Sequence, residues 1–565
     1  MSCPPTASTR NDSPQNRKIF KGDTTSTYFE TGEADDPVGR DEHGRRVGGD
    51  DEPVSEAGFR SFGKSKDHRD DLPQVIVGMA VTRDGIPVRC WCWPNAVALS
   101  DLRHTQPAMD GSWRPEIGLG APTRWCPPEL VEAAIDKGGR REERRRLLAA
   151  RTMVYFELAR CLYPGQGYEQ VFDHLLPDDV DLPSARSWPV VNKSSLCRAR
   201  SRLGAAVLET VFRAVAGPIA QPDTCAPAFW RGLRLEAFDG TVLDVADTPE
   251  NAEEFTRPAG SCGVGGYPQA RVVALVECGT HALVEAAIGG RQQGETTLAM
   301  NLAGSAGPGT LVLADRNMLG VPLWNAFVEA GAQLLWRLKK TVAKKPHAVL
   351  DDGSYLARVR LDKHTAAALR REGKGVPSAI TVRVVEYTLD GSDEVYRLAT
   401  SLLDPETAPA GELAALYHER WESEGVLAEV KTVQCGPQGV LRSARPDGIR
   451  QEIWAHLTVH HLTRDLIQHA ATGANRSFDP QRMSFRRAQH LVRRSMVAAP
   501  RPAQRHRAAE HVAARLAAKP NPDRRPRSYP RAIKRRTTPY PTKTAKMRGT
   551  RPDPNFGLTI HRRPL

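Results

Sequence analysis

The run GTLVLAD, Gly309 to Asp315, constrains this chain more than any other stretch. Leu311, Val312, Leu313 and Ala314 follow one another with no polar residue between them. A strand with one wet face alternates apolar and polar residues. A strand without alternation is covered on both faces and lies inside a sheet with layers on either side. Asp315 then ends a central strand.

The residues before it supply neighbouring strands. LRLEAFDGT (233–241) alternates and reaches an acid at Asp239. RVVALVEC, the turn Gly279-Thr280 and HALVEAAIGG read as a hairpin, and ETTLAMNLAGSA as a short helix. The order is strand, strand, strand, helix, strand, with acids ending the first and last strands. That is the opening of a ribonuclease-H-like core, an α/β fold with a mixed sheet and helices. ARVRL, AITVRVVEYTL and EVYRLATSLL then read as strands of a β insertion over 341–405, and EIWAHLTVHHLTRDLIQHA as an amphipathic helix.

Residues 127–220 read as helical. EERRRLLAARTMVYFELARCLY keeps apolar residues at helical spacing, Pro164-Gly165 breaks it, and GYEQVFDHLL resumes. Asn192 offers an N-cap to SLCRARSRLGAAVLETVFRAVA. Arg198, Arg200 and Arg202 cluster at that helix start. Such a cluster suits the phosphates or bases of DNA; arginines on an ordinary solvated helix fit equally well.

The chain has 565 residues, room for about three to five domains, and a net charge of +13. From Arg476 onward there are 24 Lys/Arg and 4 Asp/Glu, so this basic tail holds more than the whole excess. A segment of this kind binds polyanions, nucleic acid foremost, or is merely solvated. Ten cysteines are scattered without a C-x-x-C pair, which reads as reduced, cytoplasmic usage rather than a disulfide framework or zinc site. The N-terminal MSCPPTASTRNDSPQ is polar, unlike a signal peptide. The apolar runs fall short of the roughly 20 residues that span a bilayer.

YHERWESEGVLAEVK (417–431) carries the chemistry. At about 100° per residue, Tyr417, Arg420, Glu424 and Lys431 share an arc of about 60°, flanked by Leu416, Leu427 and Val430. A solvated face explains charge, but not these four side chains in one line. Packed across Asp239 and Asp315, Glu424 completes an oxygen-rich site of the kind hard cations such as Mg²⁺ take. Two such ions about 4 Å apart stabilise the attacking and leaving oxygens of a phosphoryl displacement. Arg420 and Lys431 offer phosphate contacts, and Tyr417 a phosphate or base contact.

These residues resemble the DDE transposases of bacterial insertion sequences, of the insertion-sequence-4 type. The family's Y-(2)-R-(3)-E-(6)-K signature is matched without a gap by Tyr417, Arg420, Glu424 and Lys431. Its first acid lies in a D-G-[TS] context, here Asp239-Gly240-Thr241, and its second in an A-D-R context, here Ala314-Asp315-Arg316. The likeness spans about 127–470, plus RPRSYPRAIKRR (525–536). It implies Asp239, Asp315 and Glu424 as catalytic acids binding two Mg²⁺ ions, with Mn²⁺ as a substitute. It implies DNA contacts by Tyr417, Arg420, Lys431, Arg198 and Arg202. By the same resemblance, water cuts a strand at the element end, the freed 3′-OH attacks, and a hairpin precedes cut-and-paste strand transfer. The partners are terminal inverted repeats and target DNA, held by a homodimer in the nucleoid-associated cytoplasm, with no membrane. Relatives stack a tryptophan of the insertion on a flipped base; Trp324 and Trp336 lie near it but in no matching motif.

The front of the chain reads as a partial second copy. DTTSTYFE (23–30) mirrors DGTVLDVAD (239–247), and LPQVIVGMAVTRDGIPVRCW (72–91) mirrors YPQARVVALVECGTHALVEA (267–286). Asp23 matches Asp239, yet this copy has neither a second-Asp strand nor a signature helix. The resulting organisation is a disordered 1–18, a remnant of a related core over 19–104, a linker over 105–125, and a helical DNA-binding domain over 126–222. The core follows over 230–340 and 406–470 around the insertion 341–405, and the basic tail over 471–565. The rival to a working transposase is a catalytically inactive DNA-binding remnant.

Overall fold

The computed structural model describes the backbone strands 22–28, 74–81 and 87–94. It also describes residues 117–561 other than 143–147, 177–190, 261–262, 265, 344, 374, 391–393, 437–438, 474–478, 497–501 and 522–556. The expectations for 1–18, for most of the 105–125 linker, for ERRRL (143–147) of the first helix and for 525–536 lie outside the described residues. The chain forms two compact units, 1–114 and 115–565.

The larger unit is organised by one sheet. Among the described residues it has twelve strands, of which those longer than two residues are β1 (Leu233–Val245), β2 (Gln269–Glu277), β3 (Leu283–Gly290), β4 (Thr310–Ala314), β5 (Gln333–Arg337), β6 (Tyr355–Arg360), β7 (Ala379–Leu389), β8 (Tyr396–Thr400) and β9 (Leu558–Ile560). They lie in the order β6-β7-β8-β5-β4-β1-β2-β3. β4 is parallel to both β1 and β5, while β2 and β3 are antiparallel additions. Every residue of β4 is buried, as its unbroken apolar run requires. The strands of 341–405 do not form a sheet of their own: β8 pairs with β5, so they extend the core sheet. β6 pairs only the first part of β7, and β9 pairs Tyr387 to Leu389 at its far end.

The helices Pro128–Lys137, Ala150–Leu162, Lys193–Leu203 and Ala205–Val215 surround the long helix Pro446–Thr472. Their side chains share one apolar core with the outer face of β2 and β3. The helices Phe485–Ser495 and Pro502–Ala517, expected as parts of the tail, pack into the same core through Leu491, Val492, Val512 and Leu516. Twenty of the 27 residues of the long helix are buried, so its polar side chains need partners. Among the described residues no helix is long and apolar enough to cross a membrane.

One such partnership ties the early helices to the core. Arg200 pairs with Glu157 and donates to Tyr168 (2.6 Å) and Ser443 (3.0 Å). Arg160 bonds Glu157 (2.7 Å) and lies 3.2 Å from Glu452, which also accepts from Ser443. The arginine cluster read from the sequence is therefore divided. Arg200 is buried in this network, which removes it from any DNA contact, whereas Arg198 and Arg202 are exposed.

The smaller unit has three antiparallel strands, Gly22–Tyr28, Gln74–Val81 and Pro87–Pro94, paired in that order. Asp23 faces Met79, and Asp239 faces Ala274. The alignment that matches Asp23 with Asp239 and Leu72 with Tyr267 also matches Met79 with Ala274. The two segments thus share a strand register as well as a wording.

Arg200→Met leaves the buried acids short of a counter-charge and is expected to cost about 3–5 kcal/mol in denaturant unfolding. Arg198→Ala is expected to stay within about 0.5 kcal/mol of the parent protein. Burial pushes the Glu452 carboxyl up, but Arg160, Arg200 and Ser443 outweigh it and bring it from 4.5 to about 2. The stability this group contributes is complete above pH 4.5 and is lost as pH falls toward 2. Thermal melts of Glu452→Gln across that range should show a shallower acid dependence than the parent.

Candidate active site

The site arises from a mismatch in strand length. β4 runs beside β1 from the pair Thr310–Arg234 to Leu313–Ala237. Two more steps of that register, beyond the last paired residues, would bring Asp315 level with Asp239. β4 ends at Ala314, but β1 continues to Val245 because β2 pairs it as far as Asp244. Asp239 is therefore in the middle of a strand, not at its end as the sequence reading had it; what ends beside it is the parallel neighbour. The short strand Val440–Leu441 takes over the edge only at Asp244 and Val245. Between these partners β1 has an open edge.

Alternation decides which way the acids face. Leu235, Ala237, Leu311 and Leu313 pack in one cluster with Tyr417. Asp239 and Asp315 continue the same parity, so both lie on the face that Tyr417 covers.

The signature segment lies over this open edge as a helical run whose winding changes. It is an α-helix over Ala410–Leu416, a 3₁₀ turn over Tyr417–Arg420, an α-helix over Trp421–Ala428 and a π-helix over Glu429–Gln434. Uniform α winding, as read from the sequence, staggers Tyr417 and Arg420; in a 3₁₀ turn residues three apart eclipse and fall in one line. Tyr417 is 3% exposed, and its hydroxyl donates to the Ala314 carbonyl (3.2 Å), bracing the end of β4 next to Asp315. Its hydroxyl is thus engaged with backbone rather than turned outward for a phosphate. Arg420, 5% exposed, donates to Glu424 (2.9 Å) and lies 3.7 Å from Asp239. Lys431 donates to the Val242 carbonyl on β1 (3.0 Å).

The opposite side of this run is clamped. Glu422 pairs with His281, and Glu429 with Arg464 and His460 of the long helix. These two glutamates were missed in the sequence, although their spacing of seven, a half-turn away from Glu424, marks a second stripe. Glu295 was missed as well. It begins the short helix Glu295–Ala299, and its side chain lies against Gly240.

Burial pushes the Asp239 carboxyl from 3.8 up to about 6. The negative charges of Glu424 and Glu295 push the same way, against the Gly240 N–H (2.8 Å) and Arg420. Arg420 occupies the space between Asp239 and Glu424, so among the described residues no acid cluster encloses an ion as it stands. The donor chemistry nonetheless fits a hard divalent cation: only carboxylate oxygens, two from adjacent strands and one from a facing helix, with excess negative charge. Trp324 and Trp336 are buried against Phe238 and Phe327. The tryptophan exposed beside the acids is Trp421, at 42%, with the Arg420 guanidinium 5.1 Å from its ring centre. Arg198 and Arg202 lie on the helix Lys193–Leu203, apart from this stripe.

Residues 116–213 match the family of insertion element 4 transposase N-terminal regions, and residues 230–462 the transposase DDE domain. The chain is 30% identical over 423 residues to the transposase InsG for insertion sequence element IS4 of Escherichia coli (strain K12). That match covers 74% of this chain and 92% of InsG. InsZ of the same strain is 30% identical over 151 residues, 26% of this chain and 49% of that protein.

The raised carboxyl of Asp239 has a consequence for stability. Between pH 3.8 and about 6 the folded chain holds a proton that the unfolded chain has released. Stability therefore falls as pH rises through that window and stays lowered above it. Asp239→Asn, which cannot ionise, is expected to raise the unfolding temperature of the metal-free protein above pH 7 in thermal melts with a chelator. An unchanged or lower temperature would contradict the electrostatics described.

Proposed function

The chain belongs to the insertion-sequence-4 family of DDE transposases, and on that premise we propose that Asp239, Asp315 and Glu424 are its catalytic acids and together hold two Mg²⁺ ions. It is a DNA transposase of an insertion sequence, with DNA as substrate and a domain of a type that uses divalent metal ions. The observation that supports this assignment most is the register of β1 and β4. It sets Asp239 and Asp315 side by side on the face covered by the segment that carries Glu424.

Asp239, Asp315 and Glu424 would hold the ions, which would supply Lewis-acid stabilisation to the oxygens that attack and leave the scissile phosphate. The protein's part is positioning. The parallel pairing of β4 with β1 ends two residues before Asp315 and Asp239 and brings the two strands to the site side by side. Tyr417 fixes the end of β4, and the clamp on Glu422 and Glu429 fixes the opposite side of the Glu424 helix. Arg420 neutralises the acids before the cations arrive and then offers its guanidinium to a DNA phosphate. Lys431, Arg198 and Arg202 extend the phosphate contacts, and Trp421 presents a ring on which a displaced base can stack. Cleavage at the inverted repeats, release through a hairpin and strand transfer by the freed 3′-OH follow within a homodimer at the nucleoid.

The test is cleavage of DNA carrying the element's own termini. The parent protein should nick and join in Mg²⁺, while Asp315→Ala should bind the same ends and leave them uncut. Equal cutting by both proteins would sink the assignment; binding without nicking by the parent would favour the inactive DNA-binding alternative. Arg198→Ala and Arg202→Ala should each lower the salt slope of end binding by about 1.

A further inference from the structure

Glu295 lies on the face of β1 opposite the signature helix. Its position is built, not incidental. β3 ends at Gly289-Gly290, and the turn after it is closed by Gln293, whose N–H donates to the Gly290 carbonyl (3.0 Å) and whose Oε1 accepts from the Gly290 N–H (3.2 Å). Arg271 on β2 donates to the Gln293 carbonyl (2.7 Å). Glu295 opens the short helix that follows, and Leu298 and Ala299 anchor that helix in the core.

Gly240 gives the carboxyl its place. A Cβ on Gly240 would stand 3.0 Å from both Cγ and Cδ of Glu295 and 3.2 Å from its Oε1. Gly240 pairs with Val273 inside the β1–β2 ladder and is not in the left-handed region, so its backbone suits any residue. The missing side chain therefore serves contact rather than conformation: it is a notch that lets Glu295 rest on the strand next to Asp239. β1 has no partner on one edge there, so only the thickness of one strand separates the two carboxyls. Placing like charges this close is costly unless a cation is shared. The basic groups of the stripe are directed elsewhere, Arg420 to Glu424 and Asp239, and Lys431 to a backbone carbonyl.

We propose that Glu295 is a fourth carboxylate of the metal centre, brought across the notch at Gly240 to hold the hydration shell of the divalent ion on the Asp239 side. The inference rests on the assignment of Asp239, Asp315 and Glu424 above. It also assigns a purpose to the glycine of Asp239-Gly240-Thr241, which keeps that path open.

The test uses the full chain with Mn²⁺ alone and no DNA, reading bound ion by electron paramagnetic resonance. Glu295→Gln keeps shape and removes charge; Gly240→Ala fills the notch and leaves Glu295 intact. Each is expected to weaken Mn²⁺ binding by about 10- to 100-fold, the effect of losing an outer partner of a metal site. Terminal-DNA binding in chelator should be unchanged in both. Raising Mn²⁺ should restore cleavage by Glu295→Gln but not by Asp315→Ala. Parent-like Mn²⁺ affinity in either Glu295→Gln or Gly240→Ala overturns the proposal. Parent-like affinity in Asp315→Ala would overturn the underlying site assignment instead, so the two failures are distinguishable.

Discussion

Everything at the face that carries Asp239 and Asp315 depends on one parallel pairing that stops early. β4 hydrogen-bonds to β1 only as far as Leu313 and Ala237. Because β1 runs on, held by β2, its open edge becomes a seat for a helix. Had β4 continued, Asp315 would be one more residue in a ladder and the signature helix would have no backbone to rest on. Had β1 stopped with it, Asp239 would sit in a loop and lose its separation from Asp315. A sheet edge is ordinarily a hazard to be covered; here the cover is the segment that carries Glu424.

The second constraint is electrostatic. The helical run at 410–434 carries charge on two sides, and the fold treats them differently. Glu422 and Glu429 are matched by His281, His460 and Arg464. On the other side Asp239 and Glu424 both lie against Arg420 while Glu295 rests on the far face of β1, and burial, aided by the charges of Glu424 and Glu295, pushes the Asp239 carboxyl upward. The Arg464 ion pair and hydrogen bonds with two imidazoles that burial holds uncharged fix the helix, while Asp239 and Glu424 share the single guanidinium of Arg420. The changes of winding serve the same division: the 3₁₀ turn aligns Tyr417 with Arg420, and the π segment begins at the clamped Glu429.

Much of this was legible in the amino acids. The unbroken run to Ala314 marks a central strand, and the spacing of Tyr417, Arg420, Glu424 and Lys431 marks the stripe that meets β1 and the end of β4. Strand order near the acids follows from alternation and turn residues. What was not legible depends on distant partners. Asp239 looks like a strand end because Gly240 follows it, and only the pairing with β2 carries the strand through. Arg200 is indistinguishable from Arg198 until Glu157 and Ser443 are placed around it. Glu295 sits in a short polar helix start, and nothing local reports that Gly240 has left it room. The helices of 485–517 look like parts of a basic tail because their buried sides are narrow and their arginines many.

The long helix Pro446–Thr472 also orders events in time. The helices of 128–215 have no separate core, since their apolar side chains close on residues that the ribosome delivers more than two hundred positions later. Arg200 waits for Ser443, and Glu157 shares its arginines with Glu452. A growing chain that has already made these helices and both aspartates still lacks the element on which they assemble. The helical domain and the face that carries Asp239 and Asp315 are therefore completed by the same late segment, and an interrupted translation product would have neither.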